Sequence, residues 1–165
     1  MFILGIDPGT AITGYGLVRE QEQELHLVGY GVVTTPAKQP LPQRLQTIYS
    51  DLTAVIREHQ PEAAAVEELF FSRNARTALS VGHARGVVLL ALAHAGLPIF
   101  EYKPLEIKQA VAGYGGADKR QVQEMVRMLL NLDLVPQPDD AADAVAVAVC
   151  HIHSARMAAL LADAG

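Results

Sequence analysis

The spacing of the apolar residues changes near Leu41, and this change limits the folds open to the chain. Before it, three runs rich in β-forming residues cover positions 2–6, 14–19 and 25–35. After it, apolar residues recur every three or four positions, which is typical of a helix with one buried stripe. Short apolar runs then alternate with helical patterns. Because each helix must return the chain to a neighbouring strand, the sequence predicts an α/β fold with a five-stranded mixed sheet flanked by helices.

The same patterns place the individual elements. The first helix is expected to end before Pro61, and strands are expected at 63–67 and 99–102. Further helices are expected at 75–95 and 104–112, from Asp118 to about 131, and after Pro138. The polar run 20–24 should link the second and third strands. Residues 144–150 alternate alanine with valine and fit a strand or a helix, although their alanine content favours the helix.

Length and composition bound the class of protein. With 165 residues, of which 50% are hydrophobic and 19% charged, the chain is expected to form one domain, residues 1–165, with its own core. Its longest apolar stretch, 86–97, is shorter than the ~20 residues that span a bilayer, so we expect a soluble protein without membrane contact. The N-terminus has no signal-peptide pattern, which indicates the cytoplasm. The single Cys150 excludes an internal disulfide, and a metal would need oxygen or imidazole ligands.

Charge is distributed unevenly along the chain. The formal net charge is −5, yet residues 69–128 carry eight basic against four acidic side chains. Such a segment can be an ordinary solvated surface or a phosphate-binding surface. The negative total therefore does not exclude a nucleic-acid partner.

Acidic residues interrupt apolar runs where packing alone favours none. Asp7 ends the first strand, Glu67 ends the fourth, and Asp139, Asp140 and Asp143 stand at the start of the last helix. Burying several ionised carboxylates together is costly unless positive charge is present. If the first and fourth strands are neighbours, these acids form a site for divalent cations.

Each acid also has a purely structural explanation. Asp139 and Asp140 would stabilise a helix N-terminus, and Asp7 could open a turn with Pro8. Taken together, the acids favour a metal site. His151 and His153 are two positions apart and do not share a helix face, so a joint metal role is not expected.

Several different short motifs stand at the ends of the predicted elements and together span nearly the whole chain. They are Ile3-Leu4-Gly5-Ile6-Asp7-Pro8-Gly9-Thr10, Thr13-Gly14-Tyr15-Gly16, Val66-Glu67-Glu68-Leu69-Phe70, Lys108-Gln109, Gly113-Tyr114-Gly115, Ala117-Asp118-Lys119 and Asp140-Ala141-Ala142-Asp143-Ala144. In order and content they resemble the RuvC family of crossover junction endodeoxyribonucleases. The resemblance implies a ribonuclease-H-like fold and metal-dependent cleavage of Holliday junctions in DNA recombination and repair. It further implies paired, symmetric cuts that leave 5′-phosphate and 3′-hydroxyl ends, a homodimer, and the RuvA and RuvB branch-migration proteins as partners.

The resemblance also implies roles for single residues. The family's four catalytic acids match Asp7, Glu67, Asp140 and Asp143, which would hold two Mg²⁺ or Mn²⁺ ions; such ions prefer oxygen ligands. Asp139 could also reach a metal and is the alternative for the third acid.

Other matches concern DNA binding. The family's junction-probing aromatic residue matches Phe70, and lysines near its DNA phosphates match Lys108 and Lys119. Arg73, in the polar loop after Phe71, is a further candidate DNA contact. The alternatives are that both phenylalanines fill the gap between sheet and helix, and that the lysines are ordinary surface charges.

A strip of small residues runs along the second predicted helix. Ala78, Gly82 and Gly86 recur every four positions and would let another helix approach closely. Packing on the sheet is one explanation. The family places its dimer contact on this helix, so the resemblance favours a two-fold interface.

Three other functions fit parts of the pattern. Residues 5–10 resemble the first phosphate loop of actin-like and sugar-kinase ATPases, but those proteins need two such lobes and the chain has length for one. An RNA-processing nuclease of the same fold and a junction-binding scaffold without activity are the others. The complete set of four acids speaks against the scaffold.

Overall fold

The strands and helices fall close to the predicted positions. The structure is a computed structural model, and it describes residues 1–68 and 75–163. The elements are β1 (Phe2–Asp7), β2 (Ile12–Gln21), β3 (Glu24–Thr34), α1 (Leu41–His59), β4 (Ala63–Glu67), α2 (Ala75–His94), β5 (Ile99–Tyr102), α3 (Pro104–Ala112), α4 (Lys119–Leu129) and α5 (Asp139–Asp163).

The five strands form one mixed sheet in the order β3-β2-β1-β4-β5. The first three strands are antiparallel neighbours, whereas β1 with β4 and β4 with β5 are parallel. In the register of β1 and β4, Ile6 lies beside Val66. The next residues, Asp7 and Glu67, therefore leave the sheet at the same edge.

Helices cover both faces of the sheet. Phe2, Leu4 and Ile6 belong to the core shared with α1 and α2, whereas Ile3 belongs to the core shared with α3, α4 and α5. Side chains alternate between the faces of a strand. By this parity Asp7 points to the α5 face. The alternation of 63 and 65 with 64 and 66 in β4 puts Glu67 on that face too.

Helix α5 lies unusually close to the sheet. A Cβ atom added to Gly5, Gly14 or Gly16 would collide with α5, at Ala148, Asp140 and Val145 respectively. Every residue of α5 from Ala144 to Ile152 is buried. Because α3 and α4 cover the other side of α5, this part of the helix has no solvent-facing stripe. This explains why residues 144–150 show no helical period, and it confirms the helix that their alanine content favoured.

The expected linker at 20–24 is mostly strand. Strand β2 continues to Gln21, and β3 begins at Glu24. The turn between them consists of Glu22 and Gln23, with φ angles of 53° and 70°. A two-residue turn with two positive φ angles matches the twist of a hairpin. Polar composition predicted a loop here, but exposed strand ends tolerate polar residues as well.

Helices α2 and α5 are long and apolar enough to cross a membrane, if length and composition alone are considered. A count of uninterrupted apolar residues overlooked them, because a few charged side chains interrupt each helix. Half of the apolar window of α5 is buried inside the protein, as in the core helix of a globular domain. Its hydropathy is thus explained by its place against the sheet.

The close approach of α5 predicts a large effect from one added methyl group. Gly14→Ala should lower the free energy of unfolding by about 1–3 kcal/mol or more, because the new Cβ would overlap the Asp140 carbonyl. Gly29→Ala is the matched control in β3, where the nearest atom to an added Cβ is 3.7 Å away. Urea unfolding of the two variants measures the difference. Equal stabilities would show that α5 shifts freely on the sheet.

Candidate active site

Four carboxyl groups meet at the edge of the sheet where β1 and β4 end. The pKa of Asp7 is raised to about 8, first by burial and then by the charges of Glu67, Asp143 and Asp140, with a hydrogen bond to Glu67 adding to the effect. Burial also raises the pKa of Glu67, and the charge of Asp143 raises it further. All four acids that the sequence singled out thus share one electrostatic environment. The raised pKa favours the protonated form of Asp7, which can donate a hydrogen bond to Glu67.

Two lysines border this cluster on one side. Lys108 of α3 and Lys119 of α4 line a groove of about 180 Å³ together with Glu67 and Asp143. Lys119 Nζ lies 2.9 Å from Asp143 Oδ2 and 3.2 Å from Asp139 Oδ2. Although burial alone would lower the pKa of Lys119, its contacts with Asp143 raise it. We call the groove lined by Lys108 and Lys119 the lysine groove.

The start of α4 explains why Lys119 faces the acids. Asp118 caps the helix by accepting a hydrogen bond from the backbone N–H of Gln121 at 2.9 Å, and the backbone N–H of Asp118 donates to Gln121 Oε1 at 2.9 Å. This reciprocal capping box fixes the first turn of α4. Lys119 is the first residue of that turn and is held beside the start of α5.

The neighbouring acids Asp139 and Asp140 have different surroundings. Asp139 is exposed, and hydrogen bonds from Lys119 and Gln123 lower its pKa. It is not among the groups that raise the pKa of Asp7, whereas Asp140 is. Asp140 also lines a second groove, beside the loop that follows β1. The geometry therefore favours Asp140 over Asp139 as the third acid of the cluster.

The donor set fits a hard divalent cation. Four carboxylates supply only oxygen ligands, which suit Mg²⁺ or Mn²⁺, and burial of their charge leaves it poorly solvated. Within residues 1–68 and 75–163, no three His, Cys, Asp or Glu side chains are arranged to hold one ion as they stand. Asp143 is turned to Lys119. Joint coordination requires Asp143 to exchange this contact for the metal.

The other predicted residues either fall outside the described part of the chain or lie away from the acid cluster. Phe70, Phe71 and Arg73 fall outside the described residues. Ala78, Gly82 and Gly86 are on α2, on the opposite face of the sheet from α5. His151 contacts the Tyr102 hydroxyl at 2.8 Å and His153 the Ala110 carbonyl at 2.9 Å, so neither histidine belongs to the acid cluster.

Buried hydroxyl groups that the sequence analysis missed hold the loop after β1. Thr13 donates to the Gly9 carbonyl at 2.7 Å, Thr35 donates to the Thr10 carbonyl, and Thr10 itself donates to the Ser80 carbonyl of α2. Thr10 and Thr35 are 5% and 6% exposed. Partners 25 and 70 positions apart leave no local pattern, so only the folded chain reveals this network.

Comparison with known proteins gives one consistent result. Residues 3–151 match the family model described as crossover junction endodeoxyribonuclease RuvC. The curated protein of that name from Desulfitobacterium hafniense is 59% identical over 157 residues, which is 95% of each chain. Its counterpart from Chloroflexus aggregans is 61% identical over 155 residues, 94% of each chain.

Solved structures agree with this match. The structure described as T. thermophilus RuvC in complex with Holliday junction substrate superposes with a TM-score of 0.91 at 41% identity, covering 96% of both chains. The yeast mitochondrial Holliday junction resolvase Ydc2 is 14% identical, and its TM-score of 0.63 over 92% of this chain shows the fold alone. The ribonuclease-H-like fold predicted from the motifs is confirmed. From the family model and these relatives, we conclude that the chain belongs to the RuvC family of crossover junction endodeoxyribonucleases.

Proposed function

We propose that this protein resolves four-way DNA junctions by metal-dependent hydrolysis of phosphodiester bonds in two strands near the crossover. The observation that carries the proposal is the convergence of Glu67, Asp140 and Asp143 on Asp7 beside the lysine groove. The family name and the junction complex of the T. thermophilus relative support a junction as the substrate. An acid cluster alone would repel DNA, so the lysines and bound cations must offset its charge.

The acids would hold two divalent ions. A lone general base contributes about 10²- to 10⁴-fold, far less than phosphodiester hydrolysis requires. When bound, two Mg²⁺ or Mn²⁺ ions supply the positive charge that activates water and stabilises the leaving oxygen. Asp7, Glu67, Asp140 and Asp143 would be their ligands. The proton shared by Asp7 and Glu67 must leave before both bind a cation, so metal affinity should rise with pH.

The lysines act on the substrate. Lys119 forms an ion pair with Asp143 in the free protein. When Asp143 binds a metal cation instead, the ammonium group of Lys119 can pair with a DNA phosphate. Lys108 lines the same groove and lowers the pKa of Glu67 through its charge, after the larger effect of Lys119. The two side chains would orient the backbone beside the acids.

A homodimer would place two such sites on one junction. Ala84, Val88 and Leu92 of α2 are buried against the sheet, whereas Leu79 and Leu90 are 64% and 49% exposed. An added Cβ at Gly86 would meet no atom within 4 Å, so packing within the chain does not account for that glycine. Ala78 and Gly82 are half-buried beside the exposed stripe. This face of α2 is the proposed two-fold interface.

The proposed function also extends to the reaction products, the cellular role and the partner proteins. The products would carry 5′-phosphate and 3′-hydroxyl ends, and the reaction would serve DNA recombination and repair in the cytoplasm. RuvA and RuvB would be the partners that move the junction. The family description supports the role in DNA recombination. The product ends and the partners follow from the family resemblance, and the location follows from the N-terminal sequence pattern.

A substrate panel tests the proposed function directly. The protein is incubated with a synthetic four-way junction, the matching linear duplex and a structured RNA, each with Mg²⁺, Mn²⁺ or EDTA. We expect cleavage of the junction only, and only with a metal, while Asp7→Asn binds the junction without cutting it. Preferred cleavage of RNA would favour an RNA-processing nuclease. Junction binding by the wild type without cleavage under any condition would favour the scaffold.

The surroundings of Asp139 and Asp140 predict unequal effects. Asp140→Asn should reduce junction cleavage at least about 100-fold, because it removes a charge from the cluster around Asp7. Asp139→Asn should retain most activity, because its side chain is exposed and is paired with Lys119. Single-turnover cleavage rates with Mn²⁺ measure both. If Asp139→Asn were the more damaging change, the third ligand would be misassigned.

Burial of Asp7 predicts a pH-dependent gain in stability from its removal. Its pKa of about 8 in the folded protein exceeds the ~3.9 of an unfolded chain, so the wild-type free energy of unfolding falls as pH rises between these values. In EDTA, Asp7→Asn should therefore melt above wild type, by at least ~3 °C at pH 8, with a smaller gap at pH 5. Asp139→Asn is the control and should show no such gain. A gap for Asp7→Asn that does not change with pH would contradict the assigned pKa.

The α2 interface predicts a separable loss of paired cutting. Gly86→Leu fills open space in the isolated chain and should yield a monomer in sedimentation, with open circles rather than linear product from a supercoiled cruciform plasmid. Ala54→Leu introduces the same side chain at an exposed site on α1 and should remain dimeric. A dimeric Gly86→Leu that still linearises the plasmid would place the interface elsewhere.

A further inference from the structure

A second groove lies on the other side of the acid cluster from the lysines. Its volume is about 550 Å³, and it is bounded by the loop at 9–12, by Arg44 of α1 and by Arg76 and Ser80 of α2. Asp140 forms its edge towards the acids, just as Asp143 borders the lysine groove. We call it the Arg44 groove. The four acids therefore stand between two grooves.

The Arg44 side chain is held in a fixed position. Its Nε donates to Thr35 Oγ1 at 2.8 Å, and Thr35 in turn donates to the Thr10 carbonyl. Both threonines are more than nine-tenths buried. Because this hydrogen bond uses one nitrogen, the guanidinium keeps its other donors for an anion and loses less conformational freedom when it binds one.

The charge of Arg44 is not used within the part of the chain that the structure describes. There, Arg85, Arg127 and Arg156 each pair with a glutamate, but no carboxylate lies within ion-pair distance of Arg44. Arg76 adds a second positive charge to the groove. Among the described residues that line this groove, Asp140 is the one acid, and the proposed function assigns it to a cation. The positive charge of Arg44 therefore lies in a groove that adjoins the acid cluster at Asp140.

A DNA strand needs such a surface on both sides of the acids. Each strand carries a phosphate every ~3.4 Å along the helix axis, so a strand that places one phosphate at the acids brings its neighbours to both flanks. Those neighbours are repelled by the acids unless cations face them. Lys108 and Lys119 serve the flank at Glu67 and Asp143, and the Arg44 groove borders the cluster at Asp140.

We propose that the Arg44 groove binds backbone phosphates of the strand being cut, on the Asp140 side of the active site. The proposal rests on the proposed function and adds the path of the strand. Arg44 contacts the phosphate itself and takes no part in the chemical step.

The salt dependence of junction binding tests the contact. Arg44→Gln, Arg44→Lys and the control Arg57→Gln are each made in the Asp7→Asn background, and Kd for a four-way junction is measured from 50 to 200 mM salt. Arg57 is exposed near the opposite end of α1 and gives the same change in net charge. Arg44→Gln should flatten the slope of log Kd against log salt by about 0.9, as loss of one phosphate contact does. Arg57→Gln should leave it unchanged.

Arg44→Lys separates charge from architecture, since it keeps the charge but loses the Nε donor to Thr35. A salt slope near that of the parent is expected for this variant. If the lysine variant lost as much slope as the glutamine variant, or if Arg44→Gln kept the parental slope, Arg44 would be only a structural anchor and the proposal would fail.

Neutral backbone analogues locate the contact. A series of junctions is made, each with one methylphosphonate at a different position flanking the cleaved bond. The Asp7→Asn parent should bind more weakly to the one or two junctions that are substituted where the groove contacts the strand, all on one side of the cleaved bond. At those positions Arg44→Gln should show no further loss. Equal losses for parent and variant at every position would overturn the groove assignment while leaving the proposed function intact. Failure of parent and wild type to bind any junction would instead overturn the proposed function, and this proposal with it.

Discussion

The close packing of α5 on β1 and β2 is the contact on which the rest of the structure depends. Gly5, Gly14 and Gly16 let the helix backbone lie directly against the strands, and the alanines on α5 keep the opposing surface shallow. Because interiors are packed as densely as crystals, an added methyl group has no free space to enter. The contact brings the first turns of α5 over the ends of β1 and β4. Without it, Asp140 and Asp143 would not reach Asp7.

This packing concentrates negative charge where water is scarce. The free protein limits the cost in two ways: Asp7 keeps a proton beside Glu67, and Lys119 pairs with Asp143. Both arrangements are reversible, since a cation can displace the proton and a phosphate can attract the ammonium group. The site is thus prepared for metal and DNA by the same groups that stabilise it in their absence.

The two faces of the sheet carry different tasks. The α5 face holds the acids and the lysine groove, whereas the α1 and α2 face supplies an exposed stripe around Gly86 and the anchored Arg44. The buried hydroxyl of Thr10 connects the loop after β1 with Ser80 of α2. An overall charge of −5 conceals this arrangement, because the basic side chains that matter lie on either side of a small acidic centre.

The sequence by itself determined the elements and the sheet class and marked the acids as candidates, because hydrophobic period, capping residues and acids that interrupt apolar runs are local signals. The family motifs determined the likeness to RuvC nucleases. Tertiary structure alone decided that residues 144–150 are buried on every side, that residues 20–24 are mostly strand, and that the charge of Asp140 acts on Asp7. It also decided the pairing of Lys119 with Asp143 and the anchoring of Arg44 by Thr35. Such contacts join distant positions, and their energies arise only when packing removes the groups from water, so no local pattern encodes them.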